Sequence, residues 1–97
     1  MIERIVTIQN RAGMHTRPAA MLVKLASTFE AEFFIAKDGI KINGKSIIGV
    51  MTLAAEYGST LRLQFEGPDA EQAADAIVDL FERGFDELGG TPKPAGM

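Results

Sequence analysis

The chain contains no cysteine and no tryptophan, and only one of its 97 residues is histidine. Without cysteine, neither a disulfide framework nor a thiolate metal site can form. No run of apolar residues approaches the length of about 18 that a membrane-spanning helix needs. The N-terminal segment "MIERIVTI" places charges where a signal peptide requires an apolar core. These absences predict a cytoplasmic protein that holds no metal and does not contact a membrane.

The composition favours a single soluble globular domain. The length leaves no room for a second domain, and 46% of the residues are hydrophobic and 24% charged. The net charge of −3 hides an asymmetry, because residues 1–50 carry seven Lys/Arg against four Asp/Glu and residues 51–97 carry three against nine. A mildly basic half favours an acidic partner or a phosphate group. Duplex DNA requires a denser stripe of basic residues, so we expect no nucleic-acid partner.

The first half of the chain shows one helix and three short strands. The β-branched segment "ERIVTI" predicts a strand near residues 2–8. From Thr16 onward apolar residues recur at helical spacing, which predicts a helix. The segments "EFFIAK" and "IKIN" are separated by Asp38-Gly39, a dipeptide that is a strong signal for a tight β-hairpin.

The second half predicts a short helix, a strand and a longer helix. After Ser46, "IIGVMTLAA" predicts a short helix whose core-facing residues are Val50, Leu53 and Ala54. "TLRLQFE" alternates between polar and apolar residues, so one face of that strand must be buried. Asp69, with Gln72 three residues later, is placed to cap the last helix in a capping box, and Gly89-Gly90 is placed to end it.

The predicted element order is βαββαβα, in one domain that spans residues 1–88. Strands that alternate in polarity are typical of antiparallel sheets with one buried face, so the fold class is α+β, with the helices covering one face. Residues 89–97 are predicted to be a flexible C-terminal tail.

One segment matches the written pattern of a nucleotide-binding P-loop. Gly39 is followed by four residues and then by Gly44-Lys45-Ser46. However, the four intervening residues alternate as in a strand, and backbone held in a ladder cannot wrap its N–H groups around a phosphate. We therefore reject a P-loop nucleotide hydrolase. Ser46 keeps one feature of interest, since it precedes a predicted helix whose free N–H groups favour a negative group.

The single histidine lies where a loop meets the start of a helix. A lone histidine is often structural, but His15 is followed by Thr16 and Arg17, whose backbone N–H groups have no intrahelical partners. Arg17 adds a guanidinium group that suits phosphate. A neutral imidazole has a lone pair that can attack phosphorus, and no serine or aspartate nearby suggests a hydrolytic triad. These residues favour a nucleophile that carries a phosphoryl group.

Two motifs resemble a known family. "GMHTRPAA" is similar to the active-site signature of the HPr family, the histidine-containing phosphocarriers of the bacterial phosphotransferase system, and "INGKSIIGVMTLAA" resembles its regulatory-serine segment. The resemblance implies a two-layer open-faced sandwich with strand order 1-4-2-3 and three helices on one side. It implies a carrier rather than an enzyme, with no cofactor.

The resemblance also implies the roles of the site residues. His15 would accept a phosphoryl group on Nδ1 from enzyme I, which is charged by phosphoenolpyruvate, and would pass it to an enzyme IIA domain. Arg17 would assist, together with the backbone N–H groups of Thr16 and Arg17. Ser46 would be phosphorylated by the ATP-dependent HPr kinase/phosphorylase.

A docking surface is predicted on the short helix after Ser46. If its core-facing residues are buried, three aliphatic side chains are exposed beside Ala20: Ile47, Ile48 and Met51. The alternative is that an irregular helix buries some of them. We expect a monomer that uses this surface for each partner in turn. Two questions stay open from the residues: whether the chain acts only as a regulatory module through Ser46, and whether it serves sugar permeases, a nitrogen-related chain or a regulatory remnant.

Overall fold

Four strands and three α-helices follow one another in the computed structural model, which describes residues 1–87. The strands are β1 (Ile2–Thr7), β2 (Glu32–Lys37), β3 (Ile40–Asn43) and β4 (Thr60–Glu66). The helices are α1 (Thr16–Ala26), α2 (Ile47–Thr52) and α3 (Ala70–Glu82), and a 3-10 turn follows at Gly84–Asp86. The predicted order βαββαβα is confirmed.

The strands form one antiparallel sheet in the order β1-β4-β2-β3. Strand β4 lies between β1 and β2, so that Leu63 is opposite Arg4 on one side and Ile35 on the other. The three helices pack on one face of this sheet and leave the other face open. The two-layer open-faced sandwich and its strand order are therefore as expected from the resemblance.

The β2–β3 connection is the predicted two-residue hairpin. Its central residues, Asp38 and Gly39, have φ angles of 52° and 83°. Positive φ at both positions gives the turn a twist that matches the twist of the paired strands. The hairpin places Ile40–Asn43 in a ladder with β2, where Ile42 is opposite Ile35. The four residues between the two glycines of the P-loop pattern are therefore strand.

The core lies between the sheet and the helices. The apolar positions of β4 are fully buried, as their alternation predicts, and the rings of Phe65 and Phe33 stack with centroids 4.8 Å apart. Large side chains of α1, β2, β4 and α3 share this core: Leu22, Ile35, Leu61, Leu63, Ile77 and Phe81. Burying a side chain of this size contributes about 1.5–3 kcal/mol to folding. Leu22 belongs to this layer, so the core holds α1 against the sheet with His15 at its N-terminus.

Helix α2 is shorter than predicted. It ends at Thr52, and Ala54 follows with a φ of +50°. This left-handed residue redirects the chain, so Ala54 is exposed and Ala55 is buried in its place. The prediction that Ala54 faces the core is wrong, whereas Val50 and Leu53 are buried as predicted.

Helix α3 also ends earlier than predicted. It stops at Glu82, and Gly84 follows the C-cap residue Arg83 with a φ of +62°. Glycine at this position is a frequent helix terminator because positive φ strains it little. The expected end at Gly89-Gly90 and the expected tail over residues 89–97 lie outside the described residues.

Asp69 occupies the N-cap position of α3, but the predicted capping box with Gln72 is wrong. The Asp69 side chain makes no hydrogen bond to the helix. Its two oxygens instead accept hydrogen bonds from the backbone N–H groups of Glu30 and Ala31, at 2.9 and 2.8 Å. The hydrogen bond from Glu30 is the largest influence on this carboxyl, and it holds the pKa of Asp69 below its ordinary value. Asp69 therefore ties the segment before β2 to the start of α3.

Candidate functional site

His15 is the N-cap residue of helix α1. Its backbone is extended, with φ −92° and ψ −167°, and the helix begins at Thr16. Within the described residues, the backbone N–H groups of Thr16 and Arg17 have no hydrogen-bond partner, and Pro18 has no N–H group. The positive end of the helix dipole lies at the same place. Two free donors and a favourable field therefore lie beside the histidine ring, as the sequence predicts.

The loop before His15 is held by its own backbone and by the segment after α2. The N–H of Gly13 donates to the carbonyl of Asn10 at 3.0 Å, and the N–H of Met14 donates to the carbonyl of Ala55 at 2.8 Å. Gly13 has a φ of +73°, and a Cβ atom there would lie 2.7 Å from the same Ala55 oxygen. Only glycine fits so close to a neighbouring backbone in this conformation. The position of His15 is thus set by two segments of chain.

The imidazole ring of His15 is partly exposed, and its Nε2 atom faces a carboxylate. Nε2 lies 3.2 Å from Oε2 of Glu87 and 3.4 Å from Oε1. The His15 side chain is 42% exposed. Among residues 1–87, no hydrogen bond engages Nδ1. One ring nitrogen is therefore occupied, and the other is available to a reactant.

Glu87 joins three residues of the site. Its Oε2 atom accepts a hydrogen bond from Nη1 of Arg17 at 2.7 Å, and its Oε1 atom accepts one from Nδ2 of Asn10 at 2.9 Å. Partial burial raises the pKa of Glu87, but the hydrogen bonds from Asn10 and Arg17 and the nearby charges of His15 and Arg17 lower it by more. The net pKa lies below its ordinary value. Glu87 is therefore ionised at neutral pH.

A left-handed turn brings Glu87 to the site. Gly84, Phe85 and Asp86 have φ angles of 62°, 55° and 61°. Such a conformation costs about 1–2 kcal/mol for each non-glycine residue. The Phe85 side chain is fully buried and packs edge-to-face on Phe81 with centroids 4.9 Å apart, a burial that offsets this cost by about 1.5–3 kcal/mol. Residues 84–87 are thereby anchored to the core.

Sequence reasoning found His15, Thr16 and Arg17 but missed Asn10 and Glu87. Asn10 is 1% exposed and lies in the segment "NRAGMHTRPAAM", where nothing marks it as more than a turn residue. Glu87 is 72 positions from His15 along the chain and is one of 13 acidic residues. No local signal distinguishes it from the others. Only the tertiary fold identifies it.

Ser46 lies at the start of α2 and is exposed. Its Oγ atom accepts a hydrogen bond from the N–H of Gly49 at 3.1 Å, so the residue is an N-cap in the structure. The neighbouring Lys45 directs its ammonium group to the carbonyl of Phe29 at 2.8 Å. A Cβ atom at Gly44 would lie 2.2 Å from the ring of Phe33. These contacts are structural, and they support the rejection of a P-loop.

An apolar surface lies next to Ser46, and we call it the α2 patch. Ile47, Ile48 and Met51 are exposed to 40%, 77% and 41%. Ala20 is exposed on α1, which packs against α2. The predicted exposure of Ile47, Ile48 and Met51 is confirmed, and the alternative that α2 buries some of these side chains is not supported. Their role in docking stays a prediction.

Metal ligands and membrane-spanning helices were also expected to be absent. Within residues 1–87, no group of three or more His, Cys, Asp or Glu side chains is placed to hold a metal ion. No helix in the same part of the chain has both the length and the apolar character to cross a membrane.

Comparison with known proteins identifies the family. The family model described as "PTS HPr component phosphorylation site" matches residues 2–83. The phosphocarrier protein HPr of Treponema pallidum is 47% identical over 87 residues, which cover 90% of this chain and 99% of that relative. The HPr-like protein Crh of Halalkalibacterium halodurans is 43% identical over 83 residues, which cover 86% of this chain and 99% of that relative.

Solved structures agree with the sequence comparisons. The crystal structure of HPr-C-His from Thermoanaerobacter tengcongensis has a TM-score of 0.87 and 44% identity, and it covers 90% of this chain and 98% of that chain. The crystal structure of an HPr dimer from the same organism has a TM-score of 0.71 and 44% identity, with coverages of 88% and 98%. Because family model, relatives and fold agree over nearly the whole described chain, the chain belongs to the HPr family, the phosphocarrier proteins, rather than enzymes, of the phosphotransferase system.

Proposed function

We propose that the chain carries a phosphoryl group on Nδ1 of His15, which accepts it from enzyme I and passes it to an enzyme IIA domain. Enzyme I takes this group from phosphoenolpyruvate. The observation that carries the proposal is the position of His15 at the start of α1, with its ring partly exposed and the N–H groups of Thr16 and Arg17 free. The transfer needs no metal and no other cofactor.

Three groups support a phosphoryl group on Nδ1. The free N–H groups of Thr16 and Arg17 can donate to its oxygens, and the helix dipole favours its negative charge. The guanidinium of Arg17 lies on the same turn and is 54% exposed, so it can move to the phosphate. In the structure it is bound to Glu87 at 2.7 Å. On phosphorylation of His15, the Arg17 guanidinium would therefore leave the Glu87 carboxylate and bind the phosphate oxygens instead.

The α2 patch, together with Ala20, is the proposed docking surface. Its residues Ile47, Ile48 and Met51 form an exposed apolar area on the helix that packs against α1. A methionine-containing surface repacks easily against different partners, which suits a carrier that meets enzyme I, enzyme IIA and a kinase in turn. We further propose that the carrier works in the cytoplasm as a monomer, since one chain supplies the whole described site.

Ser46 is the proposed site of regulation by HPr kinase/phosphorylase. Its hydroxyl is exposed at the N-terminus of α2, directly before Ile47 and Ile48. A phosphate there gains about 0.3–1 kcal/mol from the helix dipole, so it is expected to leave the fold intact. The same negative charge lies at the edge of the docking surface. It would repel an acidic partner and resist desolvation there.

The phosphocarrier function is tested with enzyme I and phosphoenolpyruvate. The wild-type chain is expected to gain one acid-labile phosphate, because a phosphorus–nitrogen bond hydrolyses readily in acid. His15→Ala is expected to remain folded and to gain none, whereas Arg17→Lys is expected to accept phosphate slowly, because an ammonium cannot replace a bidentate guanidinium. Acid-labile phosphate on His15→Ala would refute the assignment. A wild-type chain that accepts none would leave only regulation through Ser46.

Regulation through Ser46 is tested by rates at low and high salt. His15 phosphorylation is expected to be slow in the Ser46 phosphoform and in Ser46→Asp, and close to normal in Ser46→Ala. Salt is expected to relieve part of the difference, because exposed charges are screened beyond about 8–10 Å. Thermal melts of the same samples serve as the control. Equal rates of His15 phosphorylation in all forms would mean that Ser46 acts only as a helix cap. A lower melting temperature in the Ser46 phosphoform would contradict the electrostatic explanation.

A further inference from the structure

Three side chains from two distant parts of the chain form a hydrogen-bonded row at the site. Asn10 donates from Nδ2 to Oε1 of Glu87 at 2.9 Å, and Oε2 of Glu87 lies 3.2 Å from Nε2 of His15. The row ends on the histidine, on the nitrogen opposite to the one available for transfer. In this row an amide orients a carboxylate, and the carboxylate orients an imidazole. A carboxylate hydrogen-bonded to one ring nitrogen is a known way to fix the protonation of a histidine.

Asn10 is held rigidly at the beginning of this row. It is 1% exposed, and its Nδ2 group also donates to the carbonyl of Gly13 at 2.8 Å. Both N–H bonds of the amide are thus used, one on the loop before His15 and one on Glu87. The Oδ1 atom is buried and has no hydrogen-bond partner within the described residues. A buried amide with an unsatisfied oxygen is unfavourable for stability, which favours a positional role for Asn10.

The carboxylate of Glu87 faces one ring nitrogen of His15, Nε2. An ionised carboxylate can only accept hydrogen bonds, so the nitrogen that faces it must be an N–H donor. Because Glu87 faces Nε2, the neutral ring has its lone pair on Nδ1. That is the nitrogen that no described residue engages. The same carboxylate stabilises the positive charge that develops on the ring when Nδ1 forms a bond.

We propose that Asn10 and Glu87 are positioning residues that hold His15 with Nε2 protonated and Nδ1 free to react, an inference that rests on the phosphocarrier function proposed above. In the transfer step, the Nδ1 lone pair forms a bond to phosphorus. The bond from phosphorus to the donor breaks, and its electron pair stays with the donor. The proton on Nε2 remains in place throughout and is hydrogen-bonded to Glu87.

The first test reads the protonation of the ring directly. Nitrogen-15 NMR of the neutral imidazole distinguishes a nitrogen with a proton from one with a lone pair. In the wild-type chain we expect a protonated Nε2 and an unprotonated Nδ1. In Glu87→Gln the new amide can donate to Nε2 as well as accept from it, so the two nitrogen shifts are expected to move towards each other. The control is Asp86→Asn, since Asp86 pairs with Arg83 at 3.0 Å and not with His15.

The second test measures the transfer from enzyme I as a function of carrier concentration. Glu87→Gln is expected to lower the maximal rate by about 10- to 100-fold, the contribution of one hydrogen bond to a charged group. The half-saturating concentration is expected to stay unchanged, because the α2 patch is intact. Asn10→Ala is expected to act in the same direction. The double variant is expected to lose less than the product of the two single losses, since the two residues share the Glu87 carboxylate.

The two proposals fail in different ways. A wild-type chain that takes no phosphate from enzyme I overturns the phosphocarrier function. The positioning role is overturned if the wild-type chain takes phosphate and a folded Glu87→Gln keeps the wild-type nitrogen shifts and maximal rate. If Asn10→Ala does not fold, Glu87→Gln decides the question, because its side chain is partly exposed and outside the core.

Discussion

Replacing Gly13 by alanine is expected to damage the loop that presents His15. At a φ of +73°, any residue with a Cβ atom is strained by about 1–2 kcal/mol. The added Cβ would also lie 2.7 Å from the carbonyl oxygen of Ala55 and 3.2 Å from Cα of Glu56. Both are backbone atoms that cannot rotate away, so the loop must shift, at a further cost of about 1–3 kcal/mol. The total loss of stability is roughly 2–5 kcal/mol.

Gly39→Ala is the matched control for this variant. Gly39 has a φ of +83°, and a Cβ atom there would have no neighbour within 4 Å. It therefore measures the conformational strain without the steric overlap, and it is expected to lose only about 1–2 kcal/mol. In urea or thermal unfolding, Gly13→Ala is expected to melt lower than Gly39→Ala. The extra loss of about 1–3 kcal/mol corresponds to at least about 4 °C in a domain of this size.

The functional consequence separates the two variants further. A shift at Gly13 would weaken the hydrogen bond from Met14 to Ala55, now 2.8 Å, and would move His15 relative to α1. Transfer from enzyme I is expected to slow in Gly13→Ala and to stay normal in Gly39→Ala, at a temperature where both are folded. Equal stability in the two variants would refute the steric reasoning. A normal rate in Gly13→Ala would show that the loop does not position the histidine.

Three further predictions concern other parts of the structure. Ile48→Asp is expected to change stability by less than about 0.5 kcal/mol and to weaken enzyme I binding about tenfold in calorimetric titration, whereas Ile5→Asp, on the open sheet face, binds normally. Asp69→Asn is expected to be less stable than wild type at neutral pH. Because the pKa of Asp69 is lowered in the folded state, the difference in stability between wild type and Asp69→Asn is expected to be constant above a pH of about 5. It is expected to narrow as the pH falls below about 4, and thermal melts across this pH range measure it. Gly44→Ala is expected to lose at least about 1–3 kcal/mol, because its Cβ overlaps the ring of Phe33; an unchanged melt would mean that the ring has room to move.

Features that depend on neighbouring residues were predictable from the sequence. The hairpin follows from Asp38-Gly39 alone, and the alternation of β4 shows its buried face. His15 and Arg17 could be chosen as candidate site residues because the start of a helix is a local signal. The exposure of the α2 patch followed from counting which residues of a short helix can face the core.

Features that depend on tertiary competition were not predictable. Asp69 lies in the right place to cap α3, but backbone N–H groups 38 and 39 positions away use its carboxylate instead. The end of α3 depended on a turn that is stable because Phe85 is buried, which no local pattern reveals. The same turn places Glu87 next to His15. The strand order itself came from the family resemblance and not from the residues.

The hydrogen bond between Glu87 and His15 spans 72 positions, so the two residues are synthesised at different times. A chain that leaves the ribosome presents its first strand and its histidine early, while the strand that pairs with β1 and the turn that holds Glu87 follow much later. A nascent chain therefore has His15, the proposed phosphate acceptor, without Glu87. Charging by phosphate is expected to reach its full rate only after the C-terminal turn has emerged and docked, so that unfinished carriers enter the phosphate relay slowly.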